Sequence, residues 1–500
     1  MSDRIAIIDV GSNSIRLVVY EGRAQPPILR FNEKILCGLG RGLQRSGLLN
    51  PDGIAMALRG LARFRALLDA MAVAEVEIVA TEAVRAASNG ATFVARAETA
   101  IRAPIRVLDG DGEARHAALG VITGFWRPSG LVADIGGGSL ELAGLAQGRI
   151  ERLVSLPLGV LRVMDIADGE QARARGWIEA QLAPFQPFLD AHAGRSLYVV
   201  GGNWRALARI DMAERRSPIR VLHGYRLPRG EAVELGRRLA RLDPRQLATL
   251  AGTPRKRVDT IPTAALLFEL LVRAVRPEDV RFSAHGLREG LLLARLSWDE
   301  LDRDPLLLAA ADEGRRHNRD PAMGDALVAW TAPMFPAEDP ATTRLRAAAC
   351  HLADRAWRDH PDSRARQAAA WISQAPLTAI DHAERAFLAM TMAIRHESDA
   401  SDPALAPLDA MLDPAARRLA ERLGRTLLLG LRLSGATAAM LARTRLVPEA
   451  GRLTLKLPGD GSMPSSEAVD ERVRAVARSF DFAEWRIVER TEPAIAEVAA

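Results

Sequence analysis

The sequence predicts an α/β protein in which two similar domains face each other across a cleft, followed by a helical region. Three observations support this prediction. Strand-like and helix-like segments alternate over residues 1–300, which is the pattern of α/β folds. The phrase around Asp9, "IAIIDVGSNSIRLVVY", returns around Asp134 as "LVADIGGGSLELAGL". From about residue 303, alanine, leucine and arginine dominate and the apolar positions follow helical spacing.

Four segments are expected along the 500 residues of the chain. The two α/β domains span residues 1–123 and 124–300. An all-α domain follows over residues 301–442. Residues 443–500 change character again, because "TRLVPEAGRLTLKLP", "SEAVDERVRAVARSF" and "EWRIVER" predict a small α+β segment in the order strand, strand, helix, strand.

The first domain is predicted to begin with a hairpin. "RIAIIDV" and "IRLVVY" are β-rich runs on either side of a turn, and "GIAMALRGLARFRALLDAMAV" has the spacing of an amphipathic helix. "EVEIVATEAVR" predicts a strand running into a helix. "IRVLDGDGEARHAALGVITGF" predicts the same, with Asp109-Gly110 and Asp111-Gly112 marking the turn.

The second domain is predicted to repeat this plan. "GLVADIGGGSLELAGL" is again a hairpin, and "EQARARGWIEAQLAPFQPFLDAH" has helical character. "SLYVVGGNWRALARI" predicts a buried strand, a double-glycine turn and the start of a helix. "VDTIPTAALLFELLVRAV" and "GLREGLLLARLSW" predict two further helices.

Composition and charge set only weak limits on function. Apolar residues make up 48% and charged residues 26% of the chain, as in ordinary globular proteins. The net charge is +5, and the basic residues are nearly all arginine. A polyanion partner would explain the arginines, because guanidinium groups bind phosphate in a bidentate way. GC-rich codon usage explains them too, and composition alone favours that explanation.

The sequence predicts a cytoplasmic protein without a membrane span. Its two cysteines, Cys37 and Cys350, form no CxxC pair, which argues against a disulfide framework and a structural zinc site. The first apolar run is short and interrupted by Asp9, which is not typical of a signal peptide. The longest apolar stretch, "TLLLGLRLSGATAAMLA", contains Arg432 and predicts a buried helix.

The repeated phrase suits the binding of phosphate. Laying Asp9 on Asp134 places Gly11 on Gly136. Glycine lets the backbone bend and lets a phosphate approach the amide N–H groups closely. The aspartate at the strand end offers the hard oxygen ligand that Mg²⁺ prefers. One such hairpin is common, but two with matched spacing predict a duplicated domain with a phosphate cradle in each half.

Six sequence motifs occur along the chain in the same order as in the members of one known family. The motifs are "DVGSNSIRLVVYE", "ATEAVRAASNG", "GDGEARHAALGV", "DIGGGSLEL", "VGGNWRALARI" and "HGLREGLLLARL". Over about residues 4–297 the chain is similar to the exopolyphosphatases and guanosine pentaphosphate phosphohydrolases, the Ppx/GppA family of the actin-like ATPase and sugar kinase superfamily. This resemblance implies two ribonuclease-H-like domains that each contribute one phosphate-gripping hairpin.

The resemblance also implies roles for particular residues. Glu113, in "GDGEAR", matches the position of the family's general base, and Arg85, in "TEAVRAASN", matches an arginine that contacts substrate phosphates. Carboxylates expected to place Mg²⁺ are Asp9, Asp134 and Glu141. Groups expected to bind phosphoryl oxygens, besides Arg85, are Gly11, Ser12, Asn13, Ser14, Gly136, Gly137, Gly138 and Ser139. Residues of a further turn that shapes the cleft are Gly201, Gly202 and Asn203.

Two other segments receive structural interpretations. Asp259, in "RKRVDTIPTA", is expected to cap the helix that follows. The helical region resembles the family's third domain, which is related to the HD-type phosphohydrolases. No histidine in the chain is followed by aspartate, so we expect no metal there. We expect the domain to extend a substrate channel or to build a dimer.

The first functional hypothesis is an exopolyphosphatase that removes the terminal phosphoryl group of inorganic polyphosphate with Mg²⁺ and water activated by Glu113. A second keeps the same site and hydrolyses guanosine pentaphosphate. A third is a sensor that binds either anion without hydrolysis, and a fourth is a sugar-kinase-like ATPase. We expect a homodimer and no nucleic-acid partner. P-loop, dinucleotide, serine-hydrolase and zinc-protease motifs are not found in the sequence.

Overall fold

The structure is a computed structural model, and it describes residues 4–22, 28–398 and 402–490. Its contacts divide the chain after Pro305 into two compact units, residues 1–305 and 306–500. The first unit contains the two α/β halves. The boundaries expected at residues 123 and 442 stay predictions.

The first half of unit one is a five-stranded sheet in the order β3-β2-β1-β4-β5. Its strands are β1 (Arg4–Val10), β2 (Ser14–Glu21), β3 (Leu29–Leu36), β4 (Glu75–Ala80) and β5 (Arg106–Val107). The first three strands are antiparallel neighbours, whereas β4 and β5 run parallel to β1. Its helices are α1 (Leu43–Ser46), α2 (Pro51–Ala70), α3 (Glu82–Ala86), α4 (Gly90–Ile101) and α5 (Gly110–Gly124).

The second half has a six-stranded sheet in the order β10-β11-β9-β6-β7-β8. Its strands are β6 (Gly130–Ile135), β7 (Leu140–Ala146), β8 (Arg149–Leu156), β9 (Ser196–Val200), β10 (Tyr225–Pro228) and β11 (Asp279–Phe282). Its helices are α6 (Val160–Ala167), α7 (Gln171–Leu182), α8 (Gln186–Asp190), α9 (Trp204–Glu214), α10 (Arg229–Ala240), α11 (Pro244–Thr249), α12 (Ile261–Val275), α13 (Leu287–Leu293) and α14 (Trp298–Leu301).

The duplication predicted from the repeated phrase is present in the topology. Strands β6, β7 and β8 are antiparallel neighbours, and β9 and β11 run parallel to β6. This matches the arrangement of β1 to β5 strand by strand, and β10 is an addition at the sheet edge. The register places Asp9 opposite Arg16 in the first hairpin and Asp134 opposite Glu141 in the second.

Helices α5 and α13 join the two halves through close backbone contact. A Cβ atom added at Gly120 of α5 would overlap the carbonyl of Gly286, just before α13. A Cβ atom added at Gly290 of α13 would overlap the carbonyl of His116 on α5. The apolar residues of these helices pack into a cluster with the inner faces of both sheets. This contact places the first turn of α5 beside the second hairpin.

The second unit is mostly helical. Its helices are α15 (Pro305–His317), α16 (Met323–Thr331), α17 (Pro340–Leu352), α18 (Arg364–Gln374), α19 (His382–Arg395), α20 (Ala406–Asp409), α21 (Pro414–Leu433), α22 (Ala438–Ala442) and α23 (Glu467–Ser479). Its strands are β12 (Arg445–Glu449), β13 (Arg452–Pro458) and β14 (Glu484–Arg490). The predicted order strand, strand, helix, strand is confirmed; residues 491–500 of that segment lie outside the described residues.

Two local predictions are wrong, each for a reason of helix capping. Asp109 to Gly112 were expected to form a turn, but α5 begins at Gly110 because the Asp109 carboxylate accepts a hydrogen bond from the Gly112 amide at 2.7 Å. Asp259 was expected to cap α12, but Thr260 is the N-cap residue and makes no side-chain cap bond.

Within the described residues, no helix has the length and apolarity needed to cross a membrane.

Replacing Gly290 by alanine is expected to lower the free energy of unfolding by about 1–3 kcal/mol, because the new methyl group must push α13 away from α5. Urea or thermal unfolding measures the change. Gly176→Ala is the matched control: Gly176 is exposed within α7 and its Cβ would meet nothing within 4 Å. That variant should gain about 0.5–1 kcal/mol from helix propensity. Equal stability of the Gly290 variant and the wild type would refute the close contact.

Candidate active site

The two hairpins enclose a cavity of about 190 Å³ between the halves of unit one. Every residue predicted for the site lines this cavity, with the exception of Arg85. From the first half these are Asp9, Gly11, Ser12, Asn13, Ser14 and Glu113. From the second half they are Asp134, Gly136, Gly137, Gly138, Ser139, Glu141, Gly201, Gly202 and Asn203. The fold therefore brings together segments that are far apart in the sequence.

The turns of the two hairpins have the same closing bond. The Gly11 amide donates to the Ser14 carbonyl at 3.0 Å, and the Gly136 amide donates to the Ser139 carbonyl at the same distance. Within the described residues, the amides inside each turn have no hydrogen-bond acceptor; they belong to Ser12, Asn13, Gly137 and Gly138. Such amides bind phosphate oxygens well, because they are donors on a backbone that a ligand can approach.

Glu113 lies in the first turn of α5 and is only 8% exposed. Its Oε1 accepts a hydrogen bond from Arg85 Nη1 at 2.6 Å. Arg85 also donates to the Leu108 carbonyl, so its guanidinium lies beside the carboxylate in a fixed position. Burial raises the pKa of Glu113 to about 7, because the opposing effect of Arg85 is smaller and the charges of Asp134 and Asp9 add to the rise.

Asp134 and Glu141 are two further acids whose charged forms are disfavoured here. Burial raises the pKa of Asp134 to about 6; Arg205 opposes this rise and Asp9 adds to it. Burial and the nearby Glu113 raise the pKa of Glu141 well above its usual value. The Ser155 hydroxyl donates to Glu141 Oε1 at 3.2 Å. The charged forms of acids crowded in this way are stabilised by any cation that enters the cleft.

Asp9 is already paired with a cation. Arg288 Nη1 donates to Asp9 Oδ2 at 3.2 Å, and Arg288 belongs to α13. The neighbouring Glu289 accepts hydrogen bonds from the Tyr20 hydroxyl at 2.8 Å and from the Gly286 amide at 2.9 Å. Burial alone would raise the pKa of Glu289, but the charge of Arg288 outweighs it and the pKa falls to about 2. Glu289 is thus a fixed anion whose charge favours the charged form of Arg288.

Most of the cations of the cleft were not predicted from the sequence. Arg16, Lys34, Arg205, Arg257 and Arg288 all line the cavity. Lys34 is exposed as a whole, but partial loss of solvent around its amine and the surrounding arginines lower its pKa to about 8. Burial also lowers the pKa of Arg205, to about 10. These groups repel one another, so an anion with several charges is the ligand that relieves the repulsion.

The turn expected at Gly201 to Asn203 lies at the edge of this cationic group. A Cβ atom added at Gly202 would overlap the guanidinium of Arg257. Asn203 Oδ1 accepts hydrogen bonds from Arg257 Nη1 at 2.6 Å and from the Thr260 hydroxyl at 3.0 Å. The turn therefore positions Arg257, which is a structural use for glycine at this place.

The acids expected to bind Mg²⁺ line one cavity but do not form a closed metal site. Across residues 4–22, 28–398 and 402–490, no group of three His, Cys, Asp or Glu side chains could hold a metal ion. Mg²⁺ in phosphoryl-transfer sites is usually held by one or two carboxylates together with substrate phosphates and water. The arrangement of Asp9, Asp134 and Glu141 fits that mode of binding.

Two sequence profiles match the chain. The profile of the Ppx/GppA phosphatase family covers residues 18–298, and the profile described as exopolyphosphatase, C-terminal, covers residues 306–481. The predicted resemblance to this family is confirmed by both matches.

Individual relatives are similar to somewhat more than half of the chain. Exopolyphosphatase 1 of Mycobacterium tuberculosis is 29% identical over 308 residues, which cover 59% of this chain and 88% of that protein. Exopolyphosphatase 2 of the same organism is 26% identical over 314 residues, covering 58% of this chain and 98% of that protein. The crystal structure of an exopolyphosphatase from Cytophaga hutchinsonii has a TM-score of 0.54 and 27% identity, with 58% of this chain and 97% of that chain covered.

The free energy of unfolding of the Glu113→Gln variant is expected to rise relative to that of the wild type as the pH rises. The raised pKa means that the folded state keeps its proton between about pH 4.5 and about pH 7, where the unfolded state has lost it. Wild-type stability is therefore highest below this window and falls through it. The difference in unfolding free energy should grow by roughly 3 kcal/mol from about pH 4 to about pH 8. Denaturant unfolding at several pH values measures it.

Asp111→Asn is the matched control for this prediction, since Asp111 is exposed on the same helical turn. A pH-independent difference between wild type and Glu113→Gln would show that Glu113 is not a buried, titrating acid.

Proposed function

We propose that this chain, which belongs to the Ppx/GppA phosphatase family, hydrolyses the terminal phosphoanhydride bond of inorganic polyphosphate. One observation carries the proposal. Two hairpins with free backbone amides and a group of five cations enclose a single cavity with the acid Glu113. The names of the mycobacterial relatives, which are exopolyphosphatases, support the same substrate.

The hairpin amides bind the oxygens of the terminal phosphoryl group in this proposal. The arginines and Lys34 bind the phosphates that follow it, because each further phosphate adds a charge for a further cation. Fixed amides and guanidinium groups also stabilise the charge that develops in the transition state, without having to reorganise during the reaction.

Glu113 acts as the general base. Its carboxylate accepts a proton from a water molecule while the water oxygen forms a bond to the terminal phosphorus. The bond from that phosphorus to the bridging oxygen breaks, and the shortened chain leaves with the bridging oxygen. A pKa of about 7 suits this step, because the base is available near neutral pH and is basic enough to accept the proton. Arg85 holds the carboxylate in place through its 2.6 Å hydrogen bond.

Mg²⁺ is part of the proposal. Asp9, Asp134 and Glu141 would hold it together with substrate oxygens. The raised pKa of Asp134 supports this assignment, because a carboxylate crowded by other acids gains stability from a nearby cation. When bound, the ion would neutralise charge on the phosphoryl oxygens.

Two further expectations accompany the proposed function. Cys37 and Cys350 are both free and buried, which supports the expected cytoplasmic location. The homodimer stays a prediction.

Purified protein is expected to release orthophosphate from long-chain polyphosphate in the presence of Mg²⁺ and to stop when the metal is chelated. Glu113→Gln should lower the rate at least about 100-fold, the usual contribution of a general base. Two parallel reactions replace the polyphosphate: one contains guanosine pentaphosphate, and the other contains ATP together with a sugar. Asp111→Asn is the control, because its side chain is exposed on the same turn of α5.

Orthophosphate release mainly from guanosine pentaphosphate would show that this compound is the preferred substrate, with Glu113 as the same general base. Binding of polyphosphate without any release would indicate a sensor. Full activity of Glu113→Gln would contradict the assignment of the base.

A further inference from the structure

The cleft is closed at one end by contact between the two halves. A Cβ atom added at Gly137 would lie 2.6 Å from the Cβ of Ser12 in the opposite hairpin. A Cβ atom added at Gly138 would overlap the carboxylate of Glu82, which belongs to α3 in the first half. The space beside both glycines of the second hairpin is therefore filled from the first half.

An ion pair holds this closure together. Arg162 of α6 donates from Nη2 to Oε1 of Glu82, and the Glu82 side chain is only 9% exposed. The amides of Leu161 and Arg162 donate to the Gly137 carbonyl at 2.8 and 3.2 Å, so the phosphate-binding turn itself positions Arg162. Glu82 and Arg162 together form what we call the end wall.

A second, much smaller cavity lies on the other side of the end wall. Its volume is about 10 Å³, against about 190 Å³ for the cleft. Both cavities are lined by Glu82, Ser12, Gly137 and Gly138, which makes these residues the partition between them. Arg162 faces only the small cavity, whereas Glu113 faces only the cleft.

The end wall lies close to the proposed base. Glu82 and Arg85 are three residues apart on α3, and such residues are about 5–6 Å apart on a helix surface. Arg85 binds Glu113, so α3 carries both a residue of the wall and the partner of the proposed base, and Glu82 and Glu113 line the same cleft. Cleavage inside a polyphosphate chain requires phosphates on both sides of the attacked phosphorus. If the terminal phosphoryl group is bound by the two hairpins, a chain that continued beyond it on this side would have to pass Glu82 and the contact between Ser12 and Gly137.

We propose that Glu82 and Arg162 limit the enzyme to the terminal phosphoryl group of the chain. The wall excludes further phosphates by its volume, because the Glu82 side chain is buried and is held in place by its ion pair with Arg162. This inference rests on the proposed hydrolysis of polyphosphate and adds the residues that make the cleavage exolytic.

Polyphosphate with both terminal phosphates blocked as phosphoramidates tests the inference. The wild type should leave this substrate intact. Glu82→Ala should cleave it: water adds to an internal phosphorus, one P–O–P bond breaks, and two new terminal phosphates appear. Phosphorus NMR detects the new end groups, and gel electrophoresis detects the shorter chains. On unblocked chains the variant should produce oligophosphates besides orthophosphate.

Arg162→Ala is the second variant, because it opens the same wall without changing Glu82. Asp165→Ala is the matched control: Asp165 lines the same small cavity as Arg162, but Arg162 is the residue that pairs with Glu82, so loss of Asp165 should leave blocked chains intact. Circular dichroism confirms that each variant is folded.

The inference is overturned if both folded wall variants still release orthophosphate from open chains but leave blocked chains intact. Loss of hydrolysis of both substrates in both variants would also overturn it, because the pair would then serve the reaction itself. A wild type that releases no phosphate from open chains would instead refute the proposed function.

Discussion

The close approach of the two halves of unit one is the constraint on which the site depends. Gly120 and Gly290 let α5 and α13 touch through their backbones. Gly137 lets the second hairpin approach the Ser12 side chain of the first, and Gly138 lets it approach the Glu82 side chain of α3. A side chain at any of these positions would separate the halves. Because α5 is held against the second half, its first turn carries Glu113 into the cleft. The packing of glycine therefore decides where the base lies.

Burial of charge follows from this approach. The cleft holds acids with raised pKa values, Glu113 and Asp134, beside cations whose own charges are crowded, such as Lys34. Crowding charged groups in this way lowers the stability of the folded protein, and groups with strongly shifted pKa values are concentrated at functional sites. A bound metal ion would reduce the repulsion among the acids, and a bound polyanion would reduce the repulsion among the cations. Substrate and ion are therefore expected to bind more strongly together than separately.

The sequence predicted the frame of the site better than its details. Asp9 and Asp134 were found because the phrase is repeated, and the two matching sheets confirm that repeat. The same alignment places Arg16 on Glu141, and both lie opposite an aspartate in the register. Arg16 could thus have been found from the repeat. Arg288 could not, since its contact with Asp9 depends on how α13 packs.

In the proposed mechanism both hairpins bind one polyphosphate chain end at the same time. Hydrogen–deuterium exchange of Glu113→Gln, with and without polyphosphate and Mg²⁺, tests it most directly, because this variant should bind without turnover. The amides of Ser12, Asn13, Gly137 and Gly138 should become protected together, at the same polyphosphate concentration. Protection of only one hairpin, or of neither while polyphosphate is bound elsewhere, would contradict the claim.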